Sequence, residues 1–287
     1  MLLESGKNPG KKMSFYLFRG VSNPCHQLLS SLTRHAQTYA YQHGLEWRQV
    51  IQDRERLFLE NFTNELLAKQ NDFKKQYSWI DEALKGFPND TYRILSIMQH
   101  YGGPTRLLDF TSDPYVALFF AAHEFESQSS PCFAVYRLHC INDDHEDKEG
   151  DKAPKDSTGE PFKENNGVAN QYNANTFLGR IIRYNPYKDH GWIDLDTDIR
   201  WHLPKISFGW DKPAFENPRL SAQNGFFVYN VDVRKAHQEI MSESDRLEKF
   251  LIDGTLIADI NNLLHSRGIN ISSLYLDLDK TLERWKR

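Results

Sequence analysis

An α+β fold is expected from three features of the chain, which has 287 residues. Aromatic strand-like runs stand near the start ("SFYLFRG", 14–20) and late in the chain ("FFVYNVDV"). A long proline-free stretch from about Thr33 to Gln70 reads as helix. A further apolar run, "PYVALFFAA", follows a helix-entry signal.

In chain order, "SFYLFRG" reads as a buried strand closing in a turn at Arg19-Gly20. Thr33–Gln70 follows, with Gly44 separating two helices and Leu45, Val50, Leu57, Phe58, Phe62, Leu66 and Leu67 as an apolar stripe. Asp90–His100 should form another helix that packs Ile94, Leu95 and Met98. Gly102-Gly103-Pro104 ends it, because glycine accepts left-handed backbone angles and proline cannot continue the ladder. "TRLLDF" is then a short extended piece. Ser112 or Asp113 caps the next helix, with Pro114 in its first position. "CFAVYRLHC" (132–140) reads as a strand, and residues 141–170, poor in large apolar groups, as a mobile acidic insertion. "FLGRIIRY" and "FFVYNVDV" are later strands. Helices are expected around "DRLEKFLI" and "GTLIADINNLLHSRG", and a short strand or turn with a last helix in "SSLYLDLDKTLERW".

Composition narrows the function classes. At 39% hydrophobic the chain can build one large core, so a single domain over 1–287 fits, with 33–100 as a helical lobe. No apolar run approaches the roughly 18 residues of a membrane span, and no secretory leader pattern opens the chain. A cytoplasmic protein with no membrane partner is therefore expected. Cys25, Cys132 and Cys140 are too few and too scattered for a disulfide framework or a structural zinc site. The net charge of −4 does not give the broad positive surface of a duplex-binding protein. No HExxH, GxSxG or GxGxxG pattern occurs and no metal-ligand spacing emerges, which disfavours protease, lipase and Rossmann dehydrogenase chemistry.

Three short segments carry the chemistry. Arg19 can grip a phosphate or carboxylate with two parallel N–H groups, and Gly20 beside it lets a ligand reach the backbone. Thr105, Arg106, Asp109, Thr111 and Ser112 cluster in one segment. Asp109 and Thr111 share a face of an extended strand, and Thr111-Ser112 stands at a helix entrance that favours an anionic or electron-rich ligand. Pairing of Asp109 with Arg106, or a turn cap by Asp109, would account for part of that cluster. His100 at a helix end is either a base or a dipole-stabilised terminus. In "PRLSAQNGFFVYN", Arg219 and Gln223 lead into an aromatic strand, and turn chemistry also explains a glutamine before Asn-Gly.

Taken together, "YLFRG", "QHYGGPTRLLDFTSDPYVALFFAA" and "RLSAQNGFFVY" resemble the motifs of the FRG domain family of bacteria and phages. The resemblance spans roughly residues 14 to 230. Its pattern is similar in turn to the three-motif plan of ADP-ribosyltransferases, a fold-level analogy. That analogy implies split antiparallel β-sheets around a cleft, with the helical lobe inserted after the first strand. It implies NAD as substrate, gripped by Arg19, Gly20, Thr105, Arg106, Thr111 and Ser112. Arg19, Asp109 and Gln223 would be catalytic and no metal would be needed. It further implies a toxin or anti-phage effector that modifies a nucleic acid or protein acceptor, with a neutralising antitoxin as partner. Gln223 stands where the transferases carry glutamate and cannot act as a base. Asp109 or Glu216 would then take that role, or the domain would be a non-catalytic nucleotide-binding module.

Overall fold

The computed structural model describes residues 14–76, 91–125, 130–141, 208–213, 218–230, 232–244 and 246–275. Among them is the expected mixture of helices and an antiparallel sheet. The insertion from 142 onward, "FLGRIIRY", Asp90, Glu216 and the expected last helix lie outside the described residues.

Strand β1 (Ser14–Val21) is followed by the two helices that Gly44 separates, α1 (Ser31–His43) and α2 (Trp47–Gln76). The Ser30 hydroxyl accepts the Thr33 N–H at the start of α1, and Gly44 closes it at φ 66°, a left-handed angle that glycine adopts without strain. The expected apolar stripe holds in part: Leu66 is buried and Val50, Phe58 and Phe62 are half-buried, whereas Leu45, before α2, and Leu57 and Leu67 are exposed, and Ile51 is buried in addition. The inward face also carries the buried Glu55, a charge that a hydrophobic pattern cannot reveal.

Helix α3 (Thr91–His100) buries Ile94, Leu95 and Met98 as expected. It ends where the Gly103 N–H bonds Met98 O at 2.8 Å, with Gly102 at φ 77°. Strand β2 (Leu107–Thr111) then feeds α4 (Pro114–His123). Asp113, not Ser112, caps α4: its carboxylate accepts the Tyr115 N–H at 2.8 Å, and Pro114 needs no partner for the N–H it lacks.

The remaining elements are β3 (Cys132–Ile141), β4 (Phe208–Asp211), α5 (Pro218–Ala222), β5 (Gly225–Asn230), α6 (His237–Glu243), β6 (Leu247–Asp253), α7 (Ile257–Ser266) and α8 (Ile271–Leu274). The segment "DRLEKFLI", expected as helix, contributes strand β6 instead. It pairs with β3 from Leu138↔Leu247 to Cys132↔Asp253. Long-range pairing overrides local preference there, with Arg137 set against Glu248 across the two strands.

The strand order is β4-β5-β2-β1-β3-β6, antiparallel throughout. The join in the middle is weak. β1 pairs with β3 from Ser14↔Ile141 to Val21↔Ala134, and β2 with β5 from Leu107↔Tyr229 to Thr111↔Gly225. Between β1 and β2 only the pair Phe18↔Thr111 forms. The described strands thus make one sheet with a seam through its centre, not two separate sheets.

The seam is held from both sides. Leu17, Leu108, Tyr136 and Val228 pack on one face with Ile240 and Met241 of α6. On the other, Val116, Ala117 and Phe119 of α4 pack with Phe133, Ile260 and Leu274. The helical segment between β1 and β2 has its own small core of Leu32, Ala36 and Ile51 with Val233.

Candidate functional site

Arg19 stands beside the lone Phe18↔Thr111 pair, where β1 and β2 stop exchanging backbone hydrogen bonds. Its Nη1 donates to the backbone carbonyl of Asp109, taking an acceptor that a continued ladder would have used. Its Nε is enclosed and has no hydrogen-bond partner among the described residues. Burial lowers the pKa of Arg19 and the Asp109 carboxylate opposes that shift; Arg34 lowers it further and Glu124 raises it. A guanidinium stays protonated in proteins, so the seam holds a half-buried cation.

The Asp109 side chain is exposed but oriented. Its Oδ2 accepts from Gln99 Nε2 at 2.9 Å, and the Thr105 hydroxyl donates to Gln99 Oε1. Thr105 itself is fully buried, and its hydroxyl also accepts the Leu107 N–H at 3.2 Å. Thr105 therefore positions Gln99, which positions Asp109, instead of touching a ligand.

Tyr275, just past α8, meets the Phe120 ring edge-on at 6.1 Å between centroids. Burial raises the pKa of its phenol, Arg219 lowers it, and Glu124 and Asp109 raise it. The Arg219 guanidinium lies over the Tyr275 ring, 5.1 Å from its centroid, and its Nε is enclosed without a partner among the described residues. Asp109 and Glu124 each bear on the ionisation of both Arg19 and Tyr275.

Several residues assigned from sequence have other work. The missing side chain of Gly20 serves helix packing: a Cβ there would overlap the Ala117 carbonyl oxygen and come 2.6 Å from Ala121 N. Ligand approach is not what this face of Gly20 accommodates. Arg106 is 4% exposed; its Nε donates to Glu55 Oε1 at 2.7 Å, Nη2 donates to Glu55 Oε2, and Nη1 donates to Asn230 O at 3.0 Å. It is a buried structural cation, paired with Glu55 and not with Asp109. The Thr111 hydroxyl donates to Gln223 O at 2.7 Å and accepts the Asp113 N–H at 3.0 Å, so it joins two turns internally. Asp109 and Thr111 do share a strand face, but Asp109 is exposed and Thr111 buried.

Ser112 is exposed, and its N–H bonds Asn224 O at 3.1 Å. Gln223 donates its amide Nε2 to Leu274 O at 3.0 Å, so this side chain tethers the segment that carries Tyr275. Sequence reading did not find Glu124, Arg34 or Tyr275, and Gln99 stood there only as the first residue of the quoted middle motif. Tyr275 could not have been found locally, because its neighbours, Phe120 and Arg219, come from distant parts of the chain. A separate cavity of about 460 Å³ lies away from Arg19, lined by residues including Gln37, Trp47, Arg48 and Glu239.

Residues 14–130 match the family model described as the FRG domain. The chain carries an FRG domain. It runs from β1 past the end of α4 and so supplies both strands of the seam, with Arg19, Gln99, Asp109 and Glu124. Arg219, Gln223 and Tyr275 lie beyond the FRG match. No curated protein matches the chain, and no solved structure does. No helix among the described residues is long and apolar enough to cross a membrane.

Proposed function

We propose that the seam binds NAD and that the protein is an NAD-dependent ADP-ribosyltransferase acting on a nucleic acid or protein acceptor. The observation that carries this reading is Arg19: a half-buried guanidinium at the seam that donates to the Asp109 carbonyl and whose charge the Asp109 and Glu124 carboxylates favour. A cation beside anions suits a ligand with phosphates at one end and a positively charged ring at the other.

In the proposed reaction the bond between nicotinamide and ribose C1′ breaks, and its electron pair returns to the ring, which leaves neutral. The ribose passes through an oxocarbenium-like state, as in glycoside cleavage. The acceptor forms the new bond to C1′ and gives up its proton to water. Arg19 holds a phosphate, and Asp109, oriented by Gln99, supplies negative charge near the developing cation. Gln223 has no part in proton transfer on this account.

The biological role that fits is a cytoplasmic toxin or anti-phage effector restrained by an antitoxin protein. Its test is expression of the wild-type chain and of Arg19→Ala, followed by mass spectrometry of cellular RNA, DNA and protein. A mass gain of one ADP-ribose unit that needs Arg19 supports the reading and names the acceptor; no adduct on any of the three classes contradicts it.

One finding favours a second reading, a non-catalytic module that binds a nucleotide. The residue in the place of the transferase glutamate is a glutamine, and its amide is committed to Leu274 O. Nucleotide binding without nicotinamide release would select this reading.

A further inference from the structure

Strand β6 forms one edge of the sheet: β3 lies on one side of it and, among the described residues, no strand lies on the other. The Arg246 carbonyl accepts the His139 N–H at 2.8 Å, and the Gly254 N–H donates to Pro131 O at 2.9 Å. With the register of β6 on β3, these two bonds turn the even-numbered residues of β6 toward β3. Lys249, Leu251 and Asp253 are left with backbone N–H and C=O groups directed outward. Such a row is a template for another strand, and proteins commonly blunt it with short strands, bulges or charge. β6 runs seven residues without a bulge and holds two large apolar side chains in the open. Phe250 is 44% exposed on one face of the strand, and Leu251 is 63% exposed on the other.

We propose that this edge pairs with the same edge of a second copy, antiparallel about Leu251, so that one sheet runs through a symmetric dimer. The charge pattern of β6 selects that occupant. "KFLID" (249–253) sets a cation and an anion at equal distances on either side of Leu251. Laid antiparallel on itself about that residue, Lys249 of each copy falls opposite Asp253 of the other, and Phe250 opposite Ile252. The outward-directed residues of one copy then meet those of the other, as backbone pairing requires. Glu248, already paired with Arg137, falls opposite Gly254 and meets no like charge. The neighbouring symmetric registers are worse. Centring on Lys249 sets the two lysines against each other, and centring on Phe250 sets Lys249 against Leu251 and Asp253 against Leu247. The Lys249 ammonium donates to Pro24 O and keeps further N–H donors for a carboxylate. A contact of like with like uses the β6 edge of both copies and closes at the dimer.

The test is sedimentation velocity of the full chain over a concentration series, with thermal unfolding to verify that each variant folds. The wild type should show a concentration-dependent dimer. Leu251→Pro removes an outward N–H and none that bonds β3, and should weaken the dimer by about tenfold or more. Leu251→Lys, which sets two lysines on the symmetry axis, replaces it if the proline variant does not fold. Lys249→Glu sets each new carboxylate against Asp253, and Asp253→Lys sets each new ammonium against Lys249. Each variant alone should be monomeric where the wild type is dimeric. Mixed together, the two should associate again, because every facing pair is then of opposite charge. Asp253 also accepts the Thr255 N–H at 2.8 Å, so if Asp253→Lys does not fold, Lys249→Glu and the Leu251 variants decide.

A wild type that stays monomeric overturns the inference. So does a dimer that the Leu251 variant or Lys249→Glu leaves intact, or a mixture of the two folded charge variants that stays monomeric. None of these outcomes depends on what the seam binds.

Discussion

Gln223 donates its side-chain N–H to the carbonyl oxygen of Leu274 at 3.0 Å, which ties the turn before β5 to the segment bearing Tyr275. Replacing Gln223 with glutamate would set a carboxylate against that carbonyl. Gln223→Glu should therefore not raise nicotinamide release. It should lower stability by about 1–3 kcal/mol, the usual result of breaking a partly buried hydrogen bond. Denaturant unfolding and an activity assay check both halves; a gain in activity at unchanged stability would contradict the structural role.

Gly20→Ala tests whether the glycine of the FRG motif serves packing. The new methyl would overlap the Ala117 carbonyl and push α4 off β1. A loss of about 1–3 kcal/mol is expected, as for other overpacked sites. A variant as stable as wild type would show that this face has room.

Arg106 and Glu55 form an ion pair with side chains only 4% and 7% exposed. Removing either partner alone, as in Arg106→Met or Glu55→Gln, should cost about 3–5 kcal/mol, because a charge or a polar group is left buried and unsatisfied. Replacing both by apolar residues should recover much of that loss. Equal losses in the single and double variants would contradict the pairing.

His237 is buried among positive neighbours. Desolvation is the main force that pushes its pKa from 6.5 down to about 3; Arg19 and Arg106 add to it, and backbone groups at Val228 and Arg106 oppose it. The unfolded chain thus takes up a proton at a pH where the folded chain does not. Stability should fall as pH drops from about 6.5 toward 3, with a slope from this group of up to about 1.4 kcal/mol per pH unit. Urea unfolding across that window should show a flatter profile in His237→Gln; identical profiles would contradict the assignment.

The elements most legible in the sequence are those with local punctuation. Gly44 divides α1 from α2, Gly102-Gly103 ends α3, and Pro114 opens α4, each through backbone chemistry confined to a few residues. What depends on distant partners was not legible. β6 is a strand because β3 pairs with it, and Glu55 is buried because Arg106, 51 residues on, neutralises it. The candidate site divides in the same way. Arg19 and Asp109 were found as polar residues at strand ends. Gly20, Thr105, Arg106 and Thr111 carried the same kind of signal, yet they pack or brace the seam. Tyr275 gave no local signal.

The most direct test of the central claim is nicotinamide release from NAD by the purified chain, compared with Arg19→Lys and Asp109→Asn under conditions where thermal unfolding shows all three folded. The account predicts release by the wild type and a fall of about a hundredfold or more in each variant, as when a preorganised charge is removed from a reacting centre. Wild-type protein that releases no nicotinamide, or variants that release it at the wild-type rate, would contradict it.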